Sequence, residues 1–399
     1  AEALAEVRRI PGAAEAVNGE LDVQAALARR DEVIHDLDDS GQLPWLQSRG
    51  IALVRADGRL EGELRVRAGD EVLVARKAVI VATGTSASLP PVDGLAGVEP
   101  WTNRQAAVAE DVPRRLVVLG GGVVGVEMAQ AYATLGSEVA LLEVGPRLLG
   151  REEDFAAEQV ADGLRAAGVD VRTGARVTSA RRDGTEVLLE LAGADPVAGD
   201  ELLVAAGRRP RTEDIGAESV GLTPGEPIVV GDRLHDPGRP WLYAIGDVNG
   251  RALLTHQGKE QARIAADHIL GRDPSPAVLD GALSPRVIFT EPQVAAVGHT
   301  TASAREAGIG ARAVDSDMNA TAGASFYGKG VTGTARIVVD EGRGVLVGAT
   351  FTGADVAELL HAATIAIVGE VPMDSLWHAV PSFPTRSEVW LKLLQEYGL

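Results

Sequence analysis

Cysteine is absent from the 399-residue sequence. Without it, these residues cannot form a disulfide, a thiolate zinc site or a cysteine nucleophile, so any redox chemistry requires a bound cofactor. A run of about 18 apolar residues and a secretory signal segment are also absent, which predicts a cytoplasmic protein without membrane insertion. The first residue is Ala1 and no initiator Met precedes it. We therefore expect the chain to begin after the true start of the protein.

An excess of positive charge is also missing. The sequence has 57 Asp and Glu against 38 Lys and Arg, a formal net charge of -19. Because nucleic acids and anionic membranes are negative, we expect neither as a partner. Hydrophobic residues make up 45% of the chain. That content and the length predict two or three domains with substantial cores.

The hydrophobic pattern predicts alternating helices and strands, the pattern of an α/β protein. Residues 1–50 have helical patterning that breaks at Pro11–Gly12, and short β-like runs follow at 51–54, 63–66 and 71–75. No low-complexity tract or short repeat interrupts this pattern.

The stretch VVLGGGVVGVE, Val117–Glu127, contains a G-x-G-x-x-G pattern between a predicted strand at 116–119 and a predicted helix at 124–135. In a dinucleotide-binding turn, the first glycine allows the tight turn, the second lets the backbone approach a pyrophosphate, and the third allows close helix–strand packing. The candidate nucleotide contacts from this pattern are Gly120, Gly122 and Gly125.

Glu143 ends the next predicted strand, 138–143, about 20 residues after the first glycine. A carboxylate at this position can accept hydrogen bonds from the ribose hydroxyls of a dinucleotide. It favours NAD over NADP, because a 2'-phosphate would meet a negative charge. Arg147, four residues later, could weaken that preference.

Three other predicted strands end in small residues: VIVATG (Val79–Gly84), LLVAAGRRP (Leu202–Pro210) and LYAIGDVNG (Leu242–Gly250). Each alone is typical of an ordinary turn. Asp247 adds a carboxylate that could hold a polyol or a ribose hydroxyl. Alternatively, it could form an Asx-type turn.

Taken together, five motifs resemble in order the FAD-dependent pyridine nucleotide-disulfide oxidoreductases, the group of dihydrolipoamide dehydrogenase, mercuric reductase and soluble transhydrogenase. The motifs are ATG at 82–84, GGGVVGVE at 120–127, AAGRRP at 205–210, AIGDV at 244–248 and FTEPQVAAVG at 289–298. The resemblance covers nearly the whole chain.

The resemblance implies a two-dinucleotide-binding-domain α/β flavoprotein with a C-terminal α+β dimerisation domain. The first part of the FAD domain would be 1–96, the inserted Rossmann-like NAD(P) domain 97–226, the returning FAD segment 227–282 and the dimerisation domain 283–399. The implied cofactors are FAD and NAD(P)H, with NAD favoured. The implied partners are a second copy of the chain and a small-molecule electron acceptor, and no metal site is expected.

The same resemblance assigns individual positions. Further positions match NAD contacts of the family: Gly121, Val123, Val124 and Gly207. Glu127 matches the acid near the nicotinamide. The matching FAD contacts are Gly58, Thr83, Gly84, Asp247, Leu253, Leu254, Thr255 and His256. For His256, a packing role at a helix start is an alternative to cofactor contact.

Two family features are missing from the sequence. No glycine fingerprint precedes Gly120, and the redox CxxxxC is absent. Either the chain is a fragment that starts after both features, or it is a degenerate relative. We expect a fragment, because retained FAD motifs would be unexpected in a protein that had lost the flavin, and we expect this fragment to hold FAD poorly.

The C-terminal motif departs from the dithiol reductases of the family, which carry His-Pro-Thr-x-Ser-Glu. Here Phe383 stands where they have the His that transfers protons, and Glu388 matches the acid that orients it. His378, five residues upstream, could replace that His or be a packing or surface residue.

Three functions remain open. The leading one is an NAD(P)H-dependent flavin oxidoreductase that passes electrons to a quinone, a dye-like acceptor or a second nicotinamide. The second is a disulfide reductase in which His378 transfers the proton, and the third is a non-catalytic NAD-binding, dimerising fragment.

Overall fold

The computed structural model describes residues 2–17, 19–328 and 330–399. Within these ranges, the α-helices are α1 Glu2–Arg9, α2 Val23–Val33, α3 Leu43–Ser48, α4 Asn103–Val108, α5 Val123–Thr134, α6 Asp154–Ala166, α7 Thr255–Ile269, α8 Thr301–Glu306, α9 Leu360–Val368, α10 Met373–Leu376 and α11 Val389–Tyr397. The strands are β1 Gly58–Leu60, β2 Arg65–Ala68, β3 Glu71–Val74, β4 Val79–Val81, β5 Thr85–Ala87, β6 Arg115–Leu119, β7 Glu138–Glu143, β8 Asp170–Thr173, β9 Val177–Asp183, β10 Glu186–Leu191, β11 Ala194–Gly199, β12 Glu201–Val204, β13 Arg208–Pro210, β14 His235–Asp236, β15 Arg239–Ala244, β16 Arg286–Ile288, β17 Gln293–Gly298, β18 Ala311–Asp317, β19 Thr334–Asp340 and β20 Val345–Gly353.

These elements divide between two compact units. The first contains the residues up to Glu20, Ser88–Gly207 and Ala282–Leu399. The second contains Leu21–Ala87 and Arg208–Gly281.

In the first unit, a parallel sheet in the order β12-β6-β7-β8 carries the glycine fingerprint. The last four residues of β6 are buried, as expected for an apolar strand covered on both faces. Helices α5 and α6 pack against this sheet, and an antiparallel sheet, β11-β10-β9, closes a neighbouring core. The predicted strands at 116–119 and 138–143 and the predicted helix at 124–135 are confirmed as β6, β7 and α5.

The C-terminal part of the first unit is an antiparallel sheet in the order β16-β17-β20-β19-β18. All nine residues of β20 are buried. Ile288 and Val294 join the core formed by α5 and α6. Arg286 also makes a two-point ion pair with the buried Glu152, with Nε–Oε1 at 2.6 Å and Nη2–Oε2 at 2.9 Å.

The second unit contains three small sheets: β1-β2-β3, β14-β15-β4 and the pair β13-β5. Its core brings together apolar side chains of β4 and β15, among them Val79, Val81 and Leu242. Strand β15 runs parallel to β4, so the two strands end at the same edge of the sheet.

Some predicted strands differ from the structure. Residues 51–54 form no strand, because Ile51, Leu53 and Val54 are exposed and pair with no strand of the described residues. The strand expected at 63–66 starts later, at Arg65, because Leu64 has a positive φ of 57° in the turn that precedes it. Among the described helices, none combines the length and apolar character that a membrane crossing requires.

Candidate functional site

The glycine fingerprint forms a tight turn between β6 and α5. Gly120 has φ 115°, and a Cβ there would lie 2.5 Å from the Ala205 carbonyl oxygen. Gly122 is the residue before the first turn of α5, and a Cβ there would meet nothing within 4 Å. The turn is therefore packed on the sheet side at Gly120 and open at Gly122, where the first amides of α5 can face an anion.

Glu143 is hydrogen-bonded to the backbone of this turn. Its Oε2 accepts from the Gly121 N–H and its Oε1 from the Gly145 N–H, both at 2.6 Å. The carboxylate at the end of β7 is thus fixed beside the fingerprint, where each oxygen can still accept a further hydrogen bond.

Arg147 uses its guanidinium within its own loop. Nη2 donates to the carbonyls of Gly150 and Glu152, each at 3.1 Å, and lies 3.2 Å from an Asp154 carboxylate oxygen. A 2'-phosphate would have to compete with these bonds for the arginine.

Glu127 lies on α5, one turn beyond the fingerprint. Its Oε1 accepts a hydrogen bond from the Phe289 N–H at 2.8 Å. Burial raises the pKa of the Glu127 carboxyl, and the Phe289 bond only partly offsets that effect.

The buried Gln130 makes a reciprocal pair of hydrogen bonds with the backbone of Glu291, donating at 3.1 Å and accepting at 2.7 Å.

Asp247 in the second unit follows β15 and is held by two side chains. Thr85 donates its hydroxyl proton to Asp247 Oδ2 at 2.7 Å, and Arg208 Nε donates to the Thr85 hydroxyl at 2.6 Å. The Asp247 carboxylate makes no hydrogen bond with its own backbone neighbours among the described residues. Among the described residues, the Asp247 side chain therefore does not form the Asx-type turn.

Two of the other expected FAD contacts of the second unit adjoin a residue that binds this carboxylate, with Gly58 as an exception. Thr83 and Gly84 directly precede Thr85, and the Thr83 hydroxyl donates to the Arg211 carbonyl at 2.8 Å. Gly58 is the exception, because it begins β1 in a separate sheet.

Helix α7 contacts Gly246, the residue before Asp247, through Gly258 and Gln261. The Gly246 N–H donates to Gln261 Oε1 at 2.8 Å, and a Cβ at Gly258 would lie 3.3 Å from Gly246 Cα. Helix α7 therefore packs against the turn that carries Asp247. The expected contacts at the start of this helix are Leu253, Leu254, Thr255 and His256, and the His256 side chain is exposed.

In the first unit, Gly207 follows β12, and its carbonyl accepts a hydrogen bond from the Ser88 N–H at 2.9 Å.

No three His, Asp or Glu side chains in the described ranges group closely enough to hold a metal ion.

Among the described residues, the candidate catalytic side chains of the C-terminal loop make no hydrogen bond with one another. Phe383 is 77% exposed. Glu388 Oε2 accepts from the Thr385 N–H at 3.3 Å, in a capping box that begins the last helical segment. His378 is exposed, and no described residue forms a hydrogen bond or ion pair with its ring.

Residues 10–268 match the family model described as pyridine nucleotide-disulphide oxidoreductase, and residues 284–394 match the model for the dimerisation domain of that family. The chain belongs to this family. Pyridine nucleotide-disulphide oxidoreductases are FAD-dependent enzymes that use NAD(P)H.

Curated relatives of this oxidoreductase cover most of its length. The dihydrolipoyl dehydrogenase of Thermus scotoductus is 34% identical over 378 residues, which are 92% of this chain and 80% of that protein. The mercuric reductase of Streptomyces lividans is 32% identical over 384 residues, covering 93% and 79% of the two chains.

Solved structures show the same fold. LpdA from Mycobacterium tuberculosis is 25% identical, with a TM-score of 0.85 over 100% of this chain and 87% of that one. The HOCl-induced flavoprotein disulfide reductase RclA from Escherichia coli, as its Cu(II) complex, is 25% identical, with a TM-score of 0.83 over 93% and 85%. The predicted family and fold class, a flavoprotein with FAD, NAD and dimerisation domains, are confirmed.

Sequence reasoning missed the residues that hold the candidate carboxylates. Thr85 and Arg208 fix Asp247, and Phe289 contacts Glu127. Each lies in or directly beside a family motif, which is the one signal in the sequence that could have indicated it.

Proposed function

We propose that this oxidoreductase is a cytoplasmic homodimer that transfers electrons from NAD(P)H to a small-molecule acceptor such as a quinone rather than to a disulfide. Bound FAD would supply the redox chemistry, because a flavin takes a hydride from nicotinamide and can release electrons to an acceptor. The observation that carries this proposal is Phe383, exposed at the position where dithiol reductases of the family have a His. Phenylalanine cannot transfer a proton.

The first unit fits a dinucleotide. Gly122 leaves open space before α5, and the helix amides favour a pyrophosphate there. Glu143 would accept from the ribose hydroxyls, with its orientation fixed by Gly121 and Gly145. Its charge, and the use of Arg147 within its own loop, support NAD as the preferred nucleotide.

The second unit fits the sugar-alcohol chain of a flavin nucleotide. Asp247 would accept from its hydroxyls, and the Thr85 bond keeps one carboxylate oxygen fixed. Arg208 Nε lies 3.7 Å from the same oxygen. These residues supply binding and orientation.

The names of the relatives favour a second candidate function, disulfide reduction. In this chain, that function would need His378 to exchange protons. Its ring is exposed and no described residue orients it, whereas a general base needs a fixed position within hydrogen-bond reach of its proton. The third candidate, a non-catalytic nucleotide-binding fragment, predicts no turnover with any acceptor.

The test compares acceptors with protein expressed from its complete reading frame and loaded with FAD. NADH oxidation should be fast with quinones and slow with small disulfides. His378→Ala should change neither rate substantially. Strong disulfide reduction that His378→Ala abolishes would favour the second function, and absence of turnover with every acceptor would favour the third.

A further inference from the structure

Three ring side chains of the second unit form a cluster that no step of the proposed electron transfer uses. The rings of His235 on β14 and His268 near the end of α7 are stacked, with centroids 5.0 Å apart and an interplanar angle of 19°. The Tyr243 hydroxyl on β15 is hydrogen-bonded to His268 Nδ1 at 2.8 Å. Histidine is the side chain whose charge ordinarily changes between about pH 5 and pH 8, so the charge of this pair depends on pH.

The surroundings of His235 favour a ring without charge. Its Nδ1 atom is buried and has no hydrogen-bond partner among the described residues. In a neutral ring with its proton on Nε2, the Nδ1 atom is only an acceptor. In the protonated ring both nitrogens are donors, so acid would place a buried N–H at Nδ1 without an acceptor, which is costly.

The stacking of the two rings adds a second cost. His268 can take up a proton and keep its bond to Tyr243, because a tyrosine hydroxyl also accepts hydrogen bonds. Its charge would then face the His235 ring across the 5.0 Å stack. Because two like charges at this distance repel each other, the second proton on the pair is harder to add than the first.

The charges around His235 do not offset these costs. Burial lowers the pKa of His235, and the positive charges of His268 and Arg233 lower it further. Asp236 acts in the opposite direction, but its Oδ1 already accepts from Arg239 Nη1 at 3.1 Å. The other charged side chains of the adjoining segments are Asp273, paired with Arg233, Asp232, paired with Arg251, Asp267, paired with Arg272, and the exposed Lys77.

Helix α7 connects this pair to the turn that carries Asp247. The last turns of the helix pack in a core with β15, whose buried members are Leu234, Tyr243, Ile264 and Ala265. Within the same helix, Gln261 Oε1 accepts at 2.8 Å from the N–H of Gly246, the residue before Asp247. A shift of the end of α7 away from β15 therefore also moves a side chain that supports this turn, because a helix moves largely as one rigid element.

We propose that the stacked pair of His235 and His268 makes the second unit sensitive to acid, so that α7 packs less firmly on β15 and FAD is released more readily below about pH 6. This inference rests on the proposed binding of FAD to the second unit. As the pH falls below the ordinary histidine pKa of 6.5, the unfolded chain takes up a proton that the folded pair resists. The stability that the neutral pair gives is therefore fully present above this pH, and it is lost as the pH falls toward the lower pKa of the folded state.

The test measures the rate of FAD release, by flavin fluorescence, from protein that is expressed from its complete reading frame and loaded with FAD. In the wild type, release should be about threefold faster or more at about pH 5.5 than at about pH 7.5. His235→Phe keeps a ring in the stack that cannot be protonated, and it should remove most of this difference. Equal wild-type rates at the two pH values, or an unchanged acid response in His235→Phe, would overturn the proposal.

A second variant and a matched control accompany this test. His268→Gln keeps an acceptor for the Tyr243 hydroxyl but takes up no proton, so it should also remove most of the acid response. His299→Gln is the control, since His299 is a half-buried histidine of the first unit that is bonded to Ser303 Oγ at 3.1 Å and whose pKa burial lowers. This variant should keep the wild-type response, and loss of the response in it would contradict a specific role for the pair.

Thermal unfolding of the 399-residue chain without flavin tests the packing by itself. The fall in Tm from about pH 7.5 to about pH 5.5 should be smaller in His235→Phe than in the wild type by about 2 °C or more. A smaller fall in Tm together with an unchanged acid response of FAD release would overturn the link to flavin. Protein that cannot be loaded with FAD would contradict the proposed function, whereas the Tm comparison would still decide the acid response of the pair.

Discussion

Gly125 packs directly on Gly120 across the nucleotide turn. A Cβ at position 125 would lie 1.8 Å from the Gly120 carbonyl oxygen, far inside any real contact. Gly122 lies between them in sequence, and a Cβ at position 122 would have no other atom within 4 Å. The three glycines of the fingerprint therefore have different roles, and single substitutions can distinguish close packing from nucleotide binding.

Gly125→Ala should destabilise the protein, whereas Gly122→Ala should not. In the first variant, the turn must open to relieve the overlap, at a cost of about 1–3 kcal/mol or more. In the second, the new methyl group stands where a pyrophosphate would approach the backbone, so NADH binding should weaken by about tenfold or more while the Tm stays close to wild type. Thermal unfolding and fluorescence titration with NADH measure the two effects. Unchanged NADH affinity in Gly122→Ala would argue against nucleotide binding at this turn.

Glu143→Arg should shift nucleotide preference toward NADP. The substitution removes a negative charge beside the 2'-position and supplies a phosphate partner. We expect the ratio of the Kd values for NADH and NADPH to change by about 10- to 100-fold. Stability should fall as well, because the Gly121 and Gly145 amides lose their acceptor.

Arg147→Ala is the control for this prediction. Its guanidinium binds carbonyls of its own loop, so its removal should lower the Tm but leave the nucleotide preference unchanged. A shift of preference in Arg147→Ala would mean that this arginine, and not Glu143, reads the 2'-position.

Glu127→Gln should alter the pH dependence of stability. Burial raises the pKa of Glu127 above its ordinary value of 4.5, so the folded state favours the protonated form. The stabilisation that this preference gives the folded state is fully present below the pKa of Glu127 in the unfolded chain. It is lost as the pH rises through the pKa of Glu127 in the folded protein. Glutamine keeps the acceptor for the Phe289 N–H and has no charge to bury. The difference in the free energy of unfolding between the variant and the wild type should therefore shift in favour of the variant as the pH rises above 4.5, as measured by urea denaturation at several pH values. A constant difference across these pH values would contradict the shifted pKa.

In protein from the complete reading frame that holds both FAD and a redox dithiol, Phe383→His should increase disulfide reduction. A positioned acid-base group accelerates a reaction by about 100- to 10,000-fold. We expect the rate of disulfide reduction to rise by about 10- to 100-fold, because Glu388 is held by the Thr385 N–H. Anaerobic stopped-flow reduction of the flavin by NADH should not change, since that step needs no proton from this position. Phe383→Leu, which removes the ring without adding a base, should show no gain. An equal gain in both variants would point to access rather than proton transfer.

Local patterns in the sequence were sufficient to predict β6, α5 and β7, because hydrophobic period and turn glycines act over a few residues. They also indicated that Glu143 belongs beside the turn. They did not indicate that Thr85 binds Asp247, because that pair is 162 positions apart and depends on the packing of β4 beside β15. For the same reason, residues 51–54 have the apolar run of a strand but pair with no other strand of the described residues.

The contacts of Gln130 and Glu152 limit which segment of this protein can be exchanged for that of a relative. Gln130 is satisfied by the backbone of Glu291, and Glu152 by Arg286, both outside the nucleotide-binding segment of the sequence. A chimera that exchanges Ser88–Gly207 alone would leave Arg286 and the Glu291 backbone facing foreign side chains, with buried polar groups unpaired. Grafts that carry residues 284–294 together with the nucleotide segment should fold with fewer compensating changes.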